Sequence, residues 1–316
     1  MRTLAIALWT AGTLLVGGCV DGTPIQAERG RRVVRLVRTV ETSMSVPLAQ
    51  EYARTMPDVD LQFVDGGGTG GTVSAIQRGD ADLGFILADV AYFANADAQR
   101  RRDARAEIRG IAALQTAPVH VVAHSTIKQS QIMQLRPPRI GTNSAFSSQA
   151  ILARLVLGAY GIKEGTRLPQ FTAEDLAPSL QAGSVDAVFV TANYPARSVA
   201  AAAVAGAHLL PMDDTVAERL RRKYPFVHRV SIPAHTYAGQ DTSVRTIGVD
   251  RLLVCRSDLD EALVHELTRH FIEVLPEIFR PLRASARLMD LDSASATPIP
   301  LHPGAAQYYR ERELAP

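Results

Sequence analysis

The sequence predicts an α/β fold in which two related lobes face each other across a hinged cleft. Predicted strands alternate with predicted helices along most of the 316 residues, which favours mostly parallel sheets covered by helices. The pattern Gln-x-Gly-x-x-Asp-x-x-Phe begins at Gln77 and again at Gln181, 104 residues later. Each copy predicts a helix end, a turn and a buried strand. Because open α/β sheets bind ligands at the carboxyl ends of their strands, two such lobes place two binding edges opposite one another.

Each predicted element has its own local signal. Short apolar runs bounded by turn residues predict strands at 33–37, 59–64, 83–87, 108–114 and 119–123. Helical patterns lie at 47–55, 72–78, 88–106 and 148–160. A further strand is predicted at 245–255, and a capping-box pattern from Ser257 to Asp260 begins the helix that follows it. We expect this last segment to return to the first lobe.

The first 18 residues are typical of a bacterial signal peptide. A basic start precedes an apolar run from Leu4 to Val16 that is too short to span a bilayer, and two glycines stand directly before Cys19. Small residues before a cysteine resemble the lipobox of bacterial lipoproteins, which implies cleavage before Cys19 and its acylation, for example with palmitate. An ordinary signal peptide with an incidental cysteine is the alternative. Residues 19–32 are polar and are expected to form a flexible tether.

The composition is that of a globular protein with little net charge. Lys and Arg number 34 against 32 Asp and Glu, so bulk charge does not indicate nucleic-acid binding. Besides Cys19 the only cysteine is Cys255, which lies in a strand-like run and is expected to be a buried, inert thiol.

Motifs that would indicate an enzyme or a metal protein are weak in this chain. Gly66, Gly68 and Gly71 satisfy G-x-G-x-x-G, but the predicted helix after them is too short for a dinucleotide-binding unit. His265 and His270 are five residues apart and face different sides of a helix, so they cannot share a zinc ion. The sequence contains no G-x-S-x-G nucleophile motif. We therefore expect no catalytic residue, no cofactor and no metal.

Polar turns before three predicted helices form a candidate binding site. Hydroxyls and free N–H groups at several helix N-termini can converge on one anion. The residues of these turns are Thr42, Ser43, Thr69, Gly70, Gly71, Thr72, Ser147 and Ser148. Helix capping is the simpler role for one of the two last serines. Asp89 and Asn193-Tyr194 follow the buried strands of the two repeat copies and complete the candidate set.

The chain resembles the TAXI-type substrate-binding proteins of tripartite ATP-independent periplasmic (TRAP) transporters. The resemblance runs from about Val33 to the C-terminus and rests on the combination of five segments. They are GGTGGTVSAIQRGDADLGFILADVAY at 67–92, IRGIAALQTAPVHVV at 108–122, LQAGSVDAVFVTANYPARSV at 180–199, YPFVHRVSIPAHTYAGQDTSVRTIGV at 224–249 and LHPGAAQYYRE at 301–311.

This resemblance implies a two-lobed periplasmic-binding-protein fold, type II-like, with a hinged cleft. We expect residues 33–123 plus 235–316 to form the first lobe and residues 124–234 the second. The resemblance implies a non-enzymatic receptor, lipid-anchored at the periplasmic face, that captures a small organic acid or amino acid of the glutamate-like class. Such a receptor passes its ligand to a TRAP-type permease. A lipid-anchored sensory or regulatory protein of the same fold, without a transport role, is the alternative.

The first polar turn departs from the family. In the family this turn is rich in glycine and ends in Tyr-Tyr-Pro, whereas here it reads ETSMSVP at 41–47. The change removes aromatic walls and close backbone approach. Glu41 either faces the cleft, where it would repel a carboxylate and favour a ligand that carries an amine, or it faces solvent.

Overall fold

Nine strands, counted over the residues that the structure describes, form one sheet in the computed structural model of the chain. The described residues are 31–38, 45–66, 69–128, 132–135, 139–142, 147–162, 169–279 and 293–314. The strands are β1 (Arg32–Arg38), β2 (Val59–Asp65), β3 (Leu83–Leu87), β4 (Ile108–Ala123), β5 (Ile140–Gly141), β6 (Ala187–Thr191), β7 (His208–Leu209), β8 (His228–Ile232) and β9 (Val244–Arg256). The helices are α1 (Ser45–Thr55), α2 (Thr69–Arg78), α3 (Ala88–Arg101), α4 (Ser148–Ala159), α5 (Leu176–Gln181), α6 (Arg197–Val204), α7 (Asp214–Lys223), α8 (Glu261–Phe279) and α9 (Pro303–Leu314).

The sheet is mixed rather than mostly parallel, which corrects the sequence prediction. Its strands lie in the order β2-β1-β3-β9-β4-β6-β5, with β7 beside β4 and β8 beside β9. The pairs β1/β2, β1/β3 and β5/β6 are parallel. By contrast, β4 and β9 run antiparallel to each strand with which they pair. These two long strands therefore lie between two small parallel groups.

One continuous strand, β4, replaces the two strands predicted at 108–114 and 119–123. The residues between them stay paired with β9 through a register shift between Ala113 and Thr116. A bulge of this kind accommodates an extra residue without ending the strand. The polar residues Gln115 and Thr116 interrupt the apolar pattern and so suggest a break between two strands. They stay within one strand because β4 pairs with the distant strand β9.

Two helix boundaries also differ from the prediction. α2 begins at Thr69 rather than at Thr72, so Gly70 and Gly71 lie in its first turn and not in a loop before it. α3 ends at Arg101 instead of continuing to 106, because Arg102 adopts a left-handed conformation with φ of 54°. That conformation turns the backbone out of the helix and closes its last turn.

The internal repeat predicted from the sequence is confirmed by two matching ion pairs. Asp82 accepts hydrogen bonds from the backbone N–H, Nε and Nη2 of Arg35, at 2.8, 3.0 and 2.9 Å. Asp186 accepts from Nε of Arg139 at 2.8 Å, and both pairs span 47 residues of sequence. Each aspartate thereby fixes the start of β3 or β6 to the strand region that begins its own copy. We call residues 32–101 the first repeat and residues 139–204 the second repeat.

Helices cover both faces of the sheet and form three hydrophobic clusters. α1, α8 and α9 pack on one face of the first repeat, where Tyr52 donates a hydrogen bond to the carbonyl of Leu267 at 2.7 Å. A second cluster contains residues of α2, α3, α4 and α7, so the two repeats share it. A third lies between β6, α5 and α6. The last segment returns to the first repeat as expected, because β9 pairs with β3. None of the described helices has the length and apolarity that crossing a membrane requires.

The two ion pairs allow a matched test of what holds each repeat together. We expect Asp82→Ala to lower the free energy of unfolding by about 2 to 3 kcal/mol, because it leaves a guanidinium and a part-buried backbone N–H of Arg35 without their acceptor. Asp186→Ala should lower it by less, because the Asp186 side chain is 19% exposed against 6% for Asp82. Urea denaturation of both variants measures the difference. Equal losses, or a larger loss at Asp186, would contradict this account of the repeat.

Candidate functional site

Polar residues follow the parallel strands of both repeats at matching positions. β3 ends at Leu87 and leads to Asp89 in the first turn of α3, whereas β6 ends at Thr191 and leads to Asn193. Asp89 and Asn193 are separated by 104 residues, the same offset that relates the two ion pairs. β5, the parallel neighbour of β6, precedes Ser148 at the start of α4. These strand ends form the candidate site.

A hydrogen bond between Ser148 and Asp89 joins the two repeats at this site. Oγ of Ser148 donates to Oδ1 of Asp89 at 2.9 Å, and both side chains are buried. The backbone N–H groups of Asp89 and Val90 also lie close enough to lower the pKa of this carboxyl group. Donors from the N-termini of α3 and α4 therefore surround one carboxylate, in the position where a helix dipole favours negative charge.

Burial controls the protonation of Asp89. Removal from water raises the pKa of its carboxyl group from 3.8 to about 7, while the hydrogen bonds from Ser148 and the backbone act in the opposite direction. Oδ2 of the same carboxylate is buried and has no hydrogen-bond partner within the described part of the chain. A dry carboxylate with an open oxygen and a pKa near neutrality is typical of a functional site.

Other buried oxygens on the strands of the site also lack a hydrogen-bond partner among the described residues. They are Oδ1 of Asn193, Oγ1 of Thr191 and Oε1 of Gln115. Thr191 is the last residue of β6 and lies opposite Val119 of β4, whereas Gln115 lies in β4 at its register shift. Each of these oxygens can accept a hydrogen bond, and the hydroxyl of Thr191 can also donate one.

The glycine turn after β2 is shaped by contacts within the protein itself. A Cβ added to Gly71 would collide with the carbonyl oxygen of Gly66, so the chain occupies the space that this glycine leaves. Thr72 is fully buried, and its Cγ2 would lie 2.5 Å from a Cβ placed on Gly84. The sequence suggests that a ligand approaches the backbone closely at this turn. In the structure, the backbone of Gly66 makes the close approach to Gly71. Gly70 lies beside it and accepts a hydrogen bond from the hydroxyl of Ser74 at 3.0 Å.

The remaining predicted site residues either have structural contacts of their own or are not fully described. Ser147 caps α4, since its Oγ accepts a hydrogen bond from the N–H of Ala150 at 3.3 Å, and this is the role expected of one of the two serines. Tyr194 packs against the cluster between β6, α5 and α6. Only the backbone of Thr69 is described. Four further positions, Cys19, Glu41, Thr42 and Ser43, lie outside the described residues.

An aromatic cluster packs α3 of the first repeat against the segment after α7. The ring centroids of Tyr92 and Phe93 lie 5.2 and 5.8 Å from that of Phe226. Tyr224 lies 5.3 Å from Phe226 on the same segment. Together with the bond between Ser148 and Asp89, these rings hold α3 against α4 and the segment after α7.

The histidines that could suggest a metal site have structural partners. Burial lowers the pKa of His120 to about 4, so its ring is neutral at pH 7, and Nε2 accepts from the hydroxyl of Tyr237 at 2.9 Å. That hydroxyl in turn accepts the N–H of Ala196 at 2.9 Å. His265 bonds to Glu311 at 2.8 Å. Over the described ranges, no group of three or more His, Cys, Asp or Glu side chains could hold a metal ion.

A cavity of about 240 Å³ lies away from the strand ends, beside the loop from Tyr237 to Val244, α6 and β7. Asp89, Ser148 and Asn193 are not among its lining residues. The candidate site at the strand ends rests instead on the bond between Ser148 and Asp89 and on the matching positions of Asp89 and Asn193 in the two repeats.

The sequence profile of the NMT1-like family matches residues 43–312. The chain belongs to the NMT1-like family.

Solved structures with a similar fold are receptors or ligand complexes of low sequence identity to this NMT1-like chain. A Xanthomonas citri protein bound to ATP has a TM-score of 0.53 at 14% identity, with 90% of this chain and 99% of that chain covered. The periplasmic aliphatic sulphonate binding protein SsuA from Escherichia coli has a TM-score of 0.52 at 17% identity, with 89% and 79% covered. The alkanesulfonate-binding protein SsuA from Xanthomonas axonopodis pv. citri, bound to MOPS, has a TM-score of 0.51 at 15% identity, with 89% and 84% covered. These likenesses show that the chain has the two-lobed fold of periplasmic binding proteins.

Sequence reasoning did not single out Gln115 and Thr191, whose buried side-chain oxygens lack a partner among the described residues. Both lie inside apolar strand patterns, LQTAPVHVV and AVFVT, where a single amide or hydroxyl does not disturb the pattern. A polar residue within a strand predicted to be buried is itself a signal, because buried polar groups need partners. In this NMT1-like chain that signal would have found both residues.

The raised pKa of Asp89 predicts how stability depends on pH. The native state keeps a proton that the unfolded chain loses, so the free energy of unfolding falls as pH rises from about 4 to about 7. Ionisation of Asp89 costs about 4 kcal/mol when complete. Asp89→Asn does not titrate, so its stability relative to the wild type should rise by up to about 1.4 kcal/mol per pH unit in this range.

Urea denaturation of both proteins at pH 5, 6, 7 and 8 measures this difference, because the other titrating groups cancel between them. Asp58→Asn, at an exposed carboxylate, is the control, and its difference from the wild type should change less with pH than that of Asp89→Asn. A flat difference for Asp89→Asn, or one of opposite slope, would show that the carboxylate is not held in a dry environment.

Proposed function

We propose that this NMT1-like chain is an extracytoplasmic solute receptor that binds a small organic acid or amino acid between its two repeats. One observation carries the proposal, the bond between Ser148 and Asp89 of different repeats, which leaves Oδ2 of Asp89 buried without a partner among the described residues. A binding cleft needs a few convergent polar groups at the junction of two lobes. The polar groups of this junction have capacity for further hydrogen bonds that the described protein does not use.

The two lobes of the proposed receptor are residues 33–123 plus 235–316 and residues 124–234. β4 and β9 connect them, because β4 pairs both with β9 and with β6. Ligand capture by hinge closure would then bend or twist these two strands while each repeat keeps its own core. Ligand binding residues in this proposal are Asp89, Ser148 and Asn193, with Thr42, Ser43, Thr69, Gly70, Gly71, Thr72, Ser147 and Tyr194 as further candidates.

We further propose that the receptor is of the TAXI type and passes its ligand to a TRAP-type permease. The support is the set of five sequence segments that resemble this family, together with the NMT1-like profile and the two-lobed fold. Acylation at Cys19 would hold the receptor at the periplasmic face of the cell envelope. The proposed receptor binds and releases its ligand without changing it chemically.

A sensory receptor of the same fold, without a transport role, is the second candidate. The departure from the family in the turn at Glu41 favours it, because a changed ligand need not be a nutrient. Deletion of the chain from its host distinguishes the two functions. Loss of uptake of the bound solute would support transport, whereas unchanged uptake with an altered response to the solute would support sensing.

Substitutions at the meeting point test the receptor function. We expect a thermal-shift screen of organic acids and amino acids against the purified full chain to find a ligand that raises Tm. Asn193→Ala and Ser148→Ala should each weaken its binding about tenfold, which corresponds to the loss of one hydrogen bond. Isothermal titration calorimetry measures this, and Ser125→Ala, at an exposed serine, should bind like the wild type.

Three results would contradict the proposed site or the proposed receptor function. Full affinity in both Asn193→Ala and Ser148→Ala would place the binding site elsewhere in the chain. A screen without any stabilising ligand would contradict the receptor function, and chemical conversion of a stabilising ligand would point to an enzyme instead.

A further inference from the structure

We infer that Tyr237 is a positioning residue for the candidate site, because its hydroxyl fixes the turn that carries Asn193. This turn comprises residues 192–196 and connects β6 to α6. The inference rests on the proposed receptor function, in which Asn193 binds the ligand. It adds to that function a residue that does not touch the ligand and yet determines where Asn193 lies.

The hydroxyl of Tyr237 holds the end of the turn at which α6 begins. It accepts the backbone N–H of Ala196 at 2.9 Å, and both residues are buried. Ala196 is the N-cap residue of α6 and has no side-chain capping bond, while its carbonyl accepts the N–H of Ala200 at 2.9 Å. An N–H at the start of a helix has no partner inside the helix, so the tyrosine hydroxyl supplies the acceptor that this buried group needs.

A neutral histidine fixes the direction of this hydroxyl. Nδ1 of His120 lies 3.3 Å from the carbonyl oxygen of Val190, and a carbonyl can only accept, so the ring carries its proton on Nδ1. Nε2 is then the acceptor for the hydroxyl proton of Tyr237, at 2.9 Å. Burial lowers the pKa of His120 to about 4, which keeps this arrangement at neutral pH. Because its proton is donated to His120, the hydroxyl presents its lone pairs to Ala196.

Packing and the loop between β8 and β9 fix the ring of Tyr237. The ring belongs to the hydrophobic cluster between β6, α5 and α6 and lies edge-on to His120, with ring centroids 5.6 Å apart. The side-chain amide of Gln240 closes the loop. Its Oε1 accepts the N–H of Tyr237 at 3.3 Å, and its Nε2 donates to the carbonyls of Pro233 and Thr242 at 2.8 and 3.0 Å. The hydroxyl is therefore a fixed point to which the turn is attached.

The turn is also attached at its other end, so Asn193 lies between two fixed points. The N–H of Ala192, directly after β6, donates to the carbonyl of Pro118 in β4 at 3.3 Å. Asn193 is only partly buried, so a ligand can reach it. A binding group must be held within about 0.5 Å of its productive position, because a hydrogen bond weakens steeply as its geometry worsens. Loss of the Tyr237 hydroxyl therefore acts on the ligand through Asn193.

Tyr237→Phe tests the inference, because it keeps the packed ring and removes only the hydroxyl. The probe is the solute that binds the full wild-type chain most tightly among L-glutamate, L-alanine, succinate and glutarate in titration calorimetry. We expect Tyr237→Phe to weaken this binding about five- to tenfold, as for one misplaced hydrogen bond. Tyr160→Phe is the matched control, since the Tyr160 hydroxyl accepts the backbone N–H of Asp213, also at 2.9 Å, and this variant should bind like the wild type.

A double-mutant cycle with Asn193→Ala separates positioning from a merely structural effect. Asn193→Ala alone should weaken binding about tenfold. In the Asn193→Ala background, Tyr237→Phe should weaken binding by less than about twofold, because the hydroxyl acts on the ligand only through Asn193. Circular dichroism establishes that the variants are folded. Thermal melts should show a lower Tm for both Tyr237→Phe and Tyr160→Phe, because each loses the acceptor of a backbone N–H.

The outcomes separate the inference from the function on which it rests. Weaker binding in Tyr237→Phe that disappears in the Asn193→Ala background would support both. Unchanged affinity in Tyr237→Phe, a loss of equal size in Tyr160→Phe, or additive losses in the cycle would overturn the inference and leave the receptor function standing. If no solute of this panel or of the wider screen binds the wild-type chain, the receptor function is wrong and the inference fails with it.

Discussion

The antiparallel pairing of β4 with β9 is the constraint on which the rest of this structure depends. Along its length β9 also pairs with β3, and β4 also pairs with β6 and β7, so the strands of both repeats attach to this one pair. The parallel strands of each repeat could not form a sheet of useful size alone, since the first group has three strands and the second has two. The two long strands supply the missing partners, and they determine where the strand ends of each repeat lie.

The aspartates beside the strands of the two repeats differ in their partners. Asp82 and Asp186 stabilise the fold, because each is paired with an arginine that belongs to the same repeat. Asp82 precedes β3, whereas Asp89 follows it and bonds to Ser148 of the other repeat. Oδ2 of Asp89 has no hydrogen-bond partner among the described residues. The difference lies in what faces each carboxylate, since all three are partly or fully buried.

Local signals in the sequence predicted where helices and strands lie better than they predicted which elements contact each other. β3 has the predicted bounds, and β6 is the buried strand that the second copy of the repeat predicts. The glycine before each of them, Gly79 and Gly183, has a positive φ of 78° and 61°. The sequence did not predict that β4 is continuous or that α2 begins at Thr69, because both depend on contacts with distant residues. The candidate list contained Asp89 and Ser148 but gave no reason to pair them. Their bond follows from the order of the strands, which no short pattern encodes.

The bond between Ser148 and Asp89 also couples the contact between the repeats to the charge of one carboxyl group. Burial raises the pKa of Asp89 to about 7, whereas the hydrogen bond from Ser148 acts in the opposite direction. An ionised carboxylate accepts a stronger hydrogen bond from Ser148 than a neutral acid does. By linkage, ionisation of Asp89 strengthens this contact between the repeats, while the burial of the charge opposes ionisation. The rings of Tyr92 and Phe226 pack across the same contact and do not depend on this charge.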